Sequence, residues 1–189
     1  MFRLTIAALI ALAALGAAYL VSLNDHRSYG DVATTSPQTE LSQYTSEEGV
    51  SFQYSNNYEL SSHQSNLKGQ TWDSLVLSLK GANVPEGSEA PPTISVSVLD
   101  NLKDLSLDQW VLQDPRSNWK LNHDQGALGS GMVGGEPAML YTHDGLYQTN
   151  AVAVLHGGKV FLFEVGWLTS DDQIRIDFQN LLGTVQFAQ

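Results

Sequence analysis

The sequence predicts an α+β domain, an antiparallel sheet with two helices to cover it, behind an N-terminal hydrophobic segment and a polar linker. Three observations carry that prediction. Ile94, Val96 and Val98 alternate with Ser95 and Ser97, the two-residue period of a half-buried strand. Gly157-Gly158 stands between two apolar runs, a hairpin signal because a tight primed turn needs positive φ. Ile174, Phe178, Leu181 and Leu182 form an apolar stripe at helical spacing.

Taken from the N-terminus, Leu4 to Leu23 is uncharged, rich in Leu, Ala and Ile, and preceded by Arg3. A helix of that length spans the hydrocarbon of a bilayer. Ala11-Leu12-Ala13 and Ala14-Leu15-Gly16 are passable cleavage sites, yet the apolar run continues past both. An uncleaved signal anchor over residues 1–23 is therefore favoured over a removed signal peptide. The cleaner positive flank at the start orients the N-terminus inside and the domain outside. Residues 24–48, rich in Ser, Thr, Gln, Asp and Glu with Pro37, read as a flexible tether. The folded domain is expected over 49–189.

Within it Val50, Phe52 and Tyr54 alternate with Ser51 and Gln53 as a first strand, which Tyr58 and Leu60 prolong after Asn56-Asn57. Leu75, Leu77 and Leu79 carry a second strand, with Ser74, Val76 and Ser78 on its other face. A Pro- and Gly-containing loop leads to the strand at 94–98. Ser106 three residues before Gln109 has capping-box spacing, Leu107, Trp110 and Val111 make a helical face, and Pro115 ends the helix. Strands follow at Ala138–Thr142 and Tyr147–His156, the last joined through the two glycines to Lys159–Trp167. In that final arm Val160 and Leu162 face one way and Phe161, Phe163, Val165 and Trp167 the other, so both faces require cover. Ser170 and Gln173 repeat the capping-box spacing before the C-terminal helix, Asp171 and Asp172 suit its N-terminal dipole, Gly183 closes it, and Val185 and Phe187 suggest a last strand.

The order of these pieces resembles the PsbP family of extrinsic subunits of the oxygen-evolving complex, and its fold relatives. The resemblance lies in Val50-Ser51-Phe52-Gln53-Tyr54, the strand at Ile94–Val98, the Ser106–Val111 helix with its tryptophan, the Gly135-Glu136-Pro137-Ala138 turn, the late hairpin, and the ending from Phe178 to Phe187. It covers nearly all of 49–189. It implies an α-β-α sandwich with a central antiparallel sheet, and a binding or assembly role rather than an enzyme. It carries over no functional residue, and fold alone does not imply the photosystem role.

Acidic residues outnumber basic ones 20 to 9, and two of the basic ones, Arg3 and Arg27, flank the hydrophobic segment. Such a surface repels phosphate backbones, so nucleic-acid binding is disfavoured. The absence of cysteine removes disulfides, thiolate metal sites and thiol nucleophiles. Gly129-Ser130-Gly131-Met132-Val133-Gly134 matches G-x-G-x-x-G by letter but leads to a strand, so a mobile loop or bulged strand is the better reading. His63, His123, His143 and His156 lack the spacing of a zinc-binding helix, and the His123-Asp124 and His143-Asp144 pairs read as exposed turn residues. No serine sits in a nucleophile elbow, and neighbouring carboxylates such as Glu47 and Glu48 belong to the linker. Trp72, Trp110, Trp119 and Trp167 are expected mostly in the core.

No catalytic, metal or cofactor-binding residue is expected, and no cofactor. The function that fits is a membrane-tethered, extracytoplasmic, non-catalytic binding or assembly module for a protein or small ligand. A solute- or metal-binding accessory protein and a hydrolase with a dispersed polar site are the alternatives.

Overall fold

The computed structural model describes residues 40–82, 89–121 and 127–188. The hydrophobic segment, most of the linker and the His123-Asp124 pair lie outside the described residues. Among the described residues no helix is long and apolar enough to cross a membrane.

Among the described residues ten strands and two helices follow one another: β1 Leu41–Thr45, β2 Val50–Ser55, β3 Tyr58–Leu67, β4 Gln70–Leu79, β5 Ile94–Asp100, α1 Leu107–Gln113, β6 Gly129–Val133, β7 Glu136–Asp144, β8 Gln148–His156, β9 Lys159–Trp167, α2 Gln173–Leu182 and β10 Gln186–Phe187. Two short 3₁₀ turns, Pro115–Ser117 and Trp119–Leu121, follow α1. The strands make two sheets, a long one in the order β3-β4-β5-β9-β8-β7-β6 and a small one in the order β1-β2-β10, with every pair antiparallel.

The α+β expectation holds, with corrections. The stretch 41–45, read as tether, is strand β1: Leu41 pairs with Ser55 and Thr45 with Ser51. Its apolar content is low because it is the edge of a small sheet, where Tyr44 alone packs inward, 5.2 Å from the Phe52 ring. Tyr58 and Leu60 do not prolong β2. Asn57 turns the chain out of the small sheet, and Tyr58 opens β3 opposite Leu79 in the long one. The single expected sheet is thus two.

Each helix end has its own local cause. At α1 the backbone N–H of Ser106 donates to Gln109 Oε1 at 3.4 Å, and the Ser106 hydroxyl donates to Asp108. At α2 the cap is Asp172 and not Ser170. Its carboxylate accepts from the backbone N–H groups of Leu168, at 2.7 Å, and Thr169, at 3.0 Å, so it ties down the turn before the helix. Hydrogen bonds from the Thr169 hydroxyl and these amides hold the Asp172 carboxyl below the usual carboxylate range.

Two cores lie on the two faces of the long sheet. Beneath β2 and α2 are Val50, Phe52, Leu77, Phe161, Phe163 and Phe178. Beneath α1 are Leu99, Trp110, Val111, Val160 and Leu162. β9 feeds both, as its alternation requires, and Gly157 and Gly158 make its hairpin turn at φ +57° and +77°.

Candidate functional site

The long sheet parts in the middle of the β3–β4 hairpin. Register between β4 and β5 runs from Leu77↔Ile94 to Ser74↔Ser97 and stops there. Beyond it β4 continues as Gln70–Asp73, paired to β3 alone, and β5 continues as Val98–Asp100, paired to β9 alone. Two strand edges therefore diverge without ladder partners on the sides that face each other.

A cleft of about 370 Å³ occupies this parting. Its apolar floor comes from Val50, Leu75, Val96 and Val98, with Tyr44 of β1 above. Thr71, Trp72 and Ser74 also line it where the strands separate, although Trp72 packs against the α1-side core. The rim is charged: Glu47 and Glu48 from the β1–β2 turn, Asp73 from β4 and Asp100 from β5 surround a single ammonium, Lys159. Lys159 lies opposite Asp100 in the β5–β9 register and bridges to Glu48. Four carboxylates against one ammonium leave the rim an electrostatic trap for cationic groups. Among the described residues no group of three or more His, Asp or Glu is placed to hold a metal ion.

The residues weighed from sequence fall elsewhere, except Glu47, Glu48 and Trp72, which line the cleft. Gly129–Val133 is the edge strand β6, paired with β7, and Gly134 and Gly135 are its turn, so the segment opens no helix. A Cβ on Gly131 would stand 3.1 Å from Leu140 Cδ1, so a larger residue there would push that side chain aside by a few tenths of an ångström. His63 is exposed on β3.

His143 is not an exposed turn residue. It is 7 % exposed, and its Nε2 lies 2.9 Å from Glu164 Oε1 across β8. The turn signal of Asp144-Gly145 begins one residue later, and strand pairing carries His143 under the α1-side cover. His156 does begin its turn, held by Glu136 Oε1 at 2.9 Å, by the carbonyl of Ala188 at 3.0 Å and by stacking on Phe187 at 4.8 Å.

Trp110 is fully buried, while Trp72 and Trp119 lie partly buried around the same core. Trp167 is on the other face, its Nε1 donating to Asn150 Oδ1 at 2.7 Å and its ring 4.5 Å beneath the Arg175 guanidinium. The Tyr141 hydroxyl, 2.7 Å from the carbonyl of Ser117, is pushed up by burial and then by the charge of Glu164. It locks the 3₁₀ turn to the sheet as a neutral donor.

The cleft could not be read from the sequence. It depends on where β4 and β5 cease to pair and on β1 folding back over them, and both are non-local.

No family model matches the chain, and no curated protein matches it. The chain is similar to a solved structure, the solution structure of cyanobacterial PsbP (CyanoP) from Synechocystis sp. PCC 6803. The likeness has a TM-score of 0.50 at 16 % identity and covers 88 % of this chain and 99 % of that one. At that identity what is shared is the fold, and the chain has a PsbP-like fold, as the order of its sequence elements implied.

Proposed function

We propose that the chain is a membrane-tethered, extracytoplasmic, non-catalytic binding or assembly module, and that the cleft between β4 and β5 seats an extended, basic segment of a partner protein. One observation carries this reading: two strand edges without facing ladder partners diverge around an apolar floor. An extended segment laid there gains main-chain hydrogen bonds from the edges, as in β-strand addition, and alternate side chains reach the floor. The rim of Glu47, Glu48, Asp73 and Asp100 selects Lys or Arg on its flanks. The tether rests on the uncharged run Leu4 to Leu23 and its basic start.

A photo-reactive residue placed at Thr71 in the full chain, in membranes of its host, tests the cleft. Capture of a discrete protein from Thr71 and not from a control position at His63 is expected. It should fall several-fold with Asp73→Lys and Asp100→Lys together, and with added salt. Equal capture from both positions, or none, refutes the reading. Mass spectrometry of the mature N-terminus tests the tether separately: a start near Ala14 or Ala17 means release.

A further inference from the structure

On the same side of the long sheet as β2, α2 leaves the β6–β7 edge partly open. A groove of about 430 Å³ lies there. It is distinct from the cleft between β4 and β5 and shares no residue with it. Its body is apolar, with Leu140 and Val152 on the sheet and Phe178 and Leu182 on α2. Gly129 and Gly131 add no side-chain bulk to the sheet beside Leu140.

The other end of the groove is polar, and its chemistry is one-sided. Indole N–H is a donor only, so the Asn150 amide must turn its oxygen to Trp167, which it does at 2.7 Å. That orientation leaves the Asn150 NH₂ as the group free for the groove. Thr142, opposite Asn150 in the β7–β8 register, adds a hydroxyl that can donate. Arg175 completes the set. Its plane is held 4.5 Å over the Trp167 ring, and one N–H reaches the carbonyl of Ser170. Its Nε is buried with no hydrogen-bond partner among the described residues, and no carboxylate forms an ion pair with it there. The two acids that flank it in sequence are engaged elsewhere: Asp177 accepts from the Tyr58 hydroxyl and from Gln173 Nε2, and Asp172 has its oxygens taken by Leu168 and Thr169.

An apolar trough ending in a guanidinium, an amide NH₂ and a hydroxyl matches one ligand chemistry, an anionic head on an aliphatic body. We propose that this groove binds an aliphatic monocarboxylate, its carboxylate received by Arg175, Asn150 and Thr142 and its chain laid along Leu140, Val152, Phe178 and Leu182. With Nε closed off and one Nη1 N–H given to Ser170, the remaining Nη N–H groups of this stacked, planar guanidinium are the ones that meet the carboxylate oxygens. The volume falls within the range of about 300–1,000 Å³ usual for small-ligand sites.

The probe is octanoate, titrated against the purified full-length chain in zwitterionic nanodiscs, with empty nanodiscs subtracted and methyl and side-chain amide shifts followed by NMR. Saturable binding, roughly millimolar or tighter, is expected to move the Leu140, Val152 and Leu182 methyls and the Asn150 amide. Octanol and methyl octanoate should bind at least tenfold more weakly. Arg175→Gln should weaken octanoate at least tenfold. Asn150→Asp should do the same while still accepting from Trp167, so it decides the matter if the arginine variant folds poorly. Absence of saturation, shifts elsewhere, equal binding of octanol, or undiminished binding by Asn150→Asp overturns the proposal.

Discussion

Beneath β2 and α2 the long sheet presents Val96, Val152, Val154, Phe161, Phe163 and Val165, and the cover answers with Val50, Phe52, Phe178, Leu181 and Val185. Beneath α1 the same strands present Leu99, Val160 and Leu162, but also polar groups that are largely buried. Ser74 and Ser97 share a 2.7 Å hydrogen bond, His143 meets Glu164, Arg116 is 7 % exposed, and the Nε1 of Trp110 finds no partner among the described residues. The first face is held by shape and hydrophobic transfer, so its cost of damage scales with volume. The second is held partly by hydrogen bonds that must stay complete, because an orphaned buried polar group costs more than a made bond contributes. The faces should therefore respond differently to mutations that preserve volume.

The sharpest separation is at Trp110. Trp110→Ala opens a large cavity under α1 and should cost about 3–5 kcal/mol of unfolding free energy. Trp110→Phe leaves a smaller cavity and also removes the unpaired N–H, so it should cost roughly half as much, about 2 kcal/mol. Urea unfolding of both variants checks this. Equal losses would mean that the indole N–H has a partner and that the α1 face is ordinary packing.

Arg116 tests the ionic part of the same face. Its Nε and Nη2 donate to the two oxygens of Asp114, each at 2.9 Å, and Nη2 also reaches the carbonyl of Asp100 at 2.9 Å. Arg116→Met strands the Asp114 carboxylate and should cost about 3 kcal/mol. Burial pushes the Asp114 carboxyl up, but the hydrogen bonds and charge of Arg116 outweigh it and hold the group below its ordinary 3.8. A depressed folded-state pKa contributes stability that is present above the unfolded value and lost as pH falls through the folded one. The deficit of Arg116→Met should accordingly be largest near neutral pH and shrink at about pH 3, as denaturant midpoints at the two conditions would report.

These two faces differ in how much of them the sequence reveals. Period and turn chemistry act locally, so β2, β5, β8, β9 and the Gly157-Gly158 hairpin were legible, and so was the double-faced burial of β9. β1 was not, because Leu41-Ser42-Gln43-Tyr44-Thr45 buries little and owes its strand to pairing with β2. Nor was the shift of the α2 cap from Ser170 to Asp172, since both residues suit a cap and only the geometry of Leu168 and Thr169 selects between them. The candidate cleft was illegible for a stronger reason. Trp72, Asp73, Val98 and Asp100 look like ordinary strand residues, and what makes them a site is the end of a register at Ser74 and Ser97, 23 residues apart in the chain. The Arg175 groove shares that property, because Thr142, Asn150 and Arg175 converge only once β7, β8 and α2 are assembled.

The smallest effect compares two neighbours in one turn on the apolar side. Gly134 and Gly135 both have positive φ, +60° and +84°. A Cβ on Gly134 would stand 2.7 Å from Cδ2 of Phe187, the β10 ring that stacks on His156 and lies 5.1 Å from Phe161, whereas one on Gly135 meets nothing within 4 Å. Gly135→Ala therefore reports left-handed backbone strain alone, about 1 kcal/mol. Gly134→Ala adds displacement of Phe187 and should cost about 2 kcal/mol. Because Phe187 is the last apolar residue of β10, the excess should also loosen the pairing of Gln186 and Phe187 with Ser51 and Val50. Faster amide exchange at β10 in Gly134→Ala, with no such change in Gly135→Ala, would tie the closure of that face to packing against a single ring. Equal exchange in both would instead place the sensitivity in the turn itself, and the apolar face would then be more tolerant of local damage than the polar one.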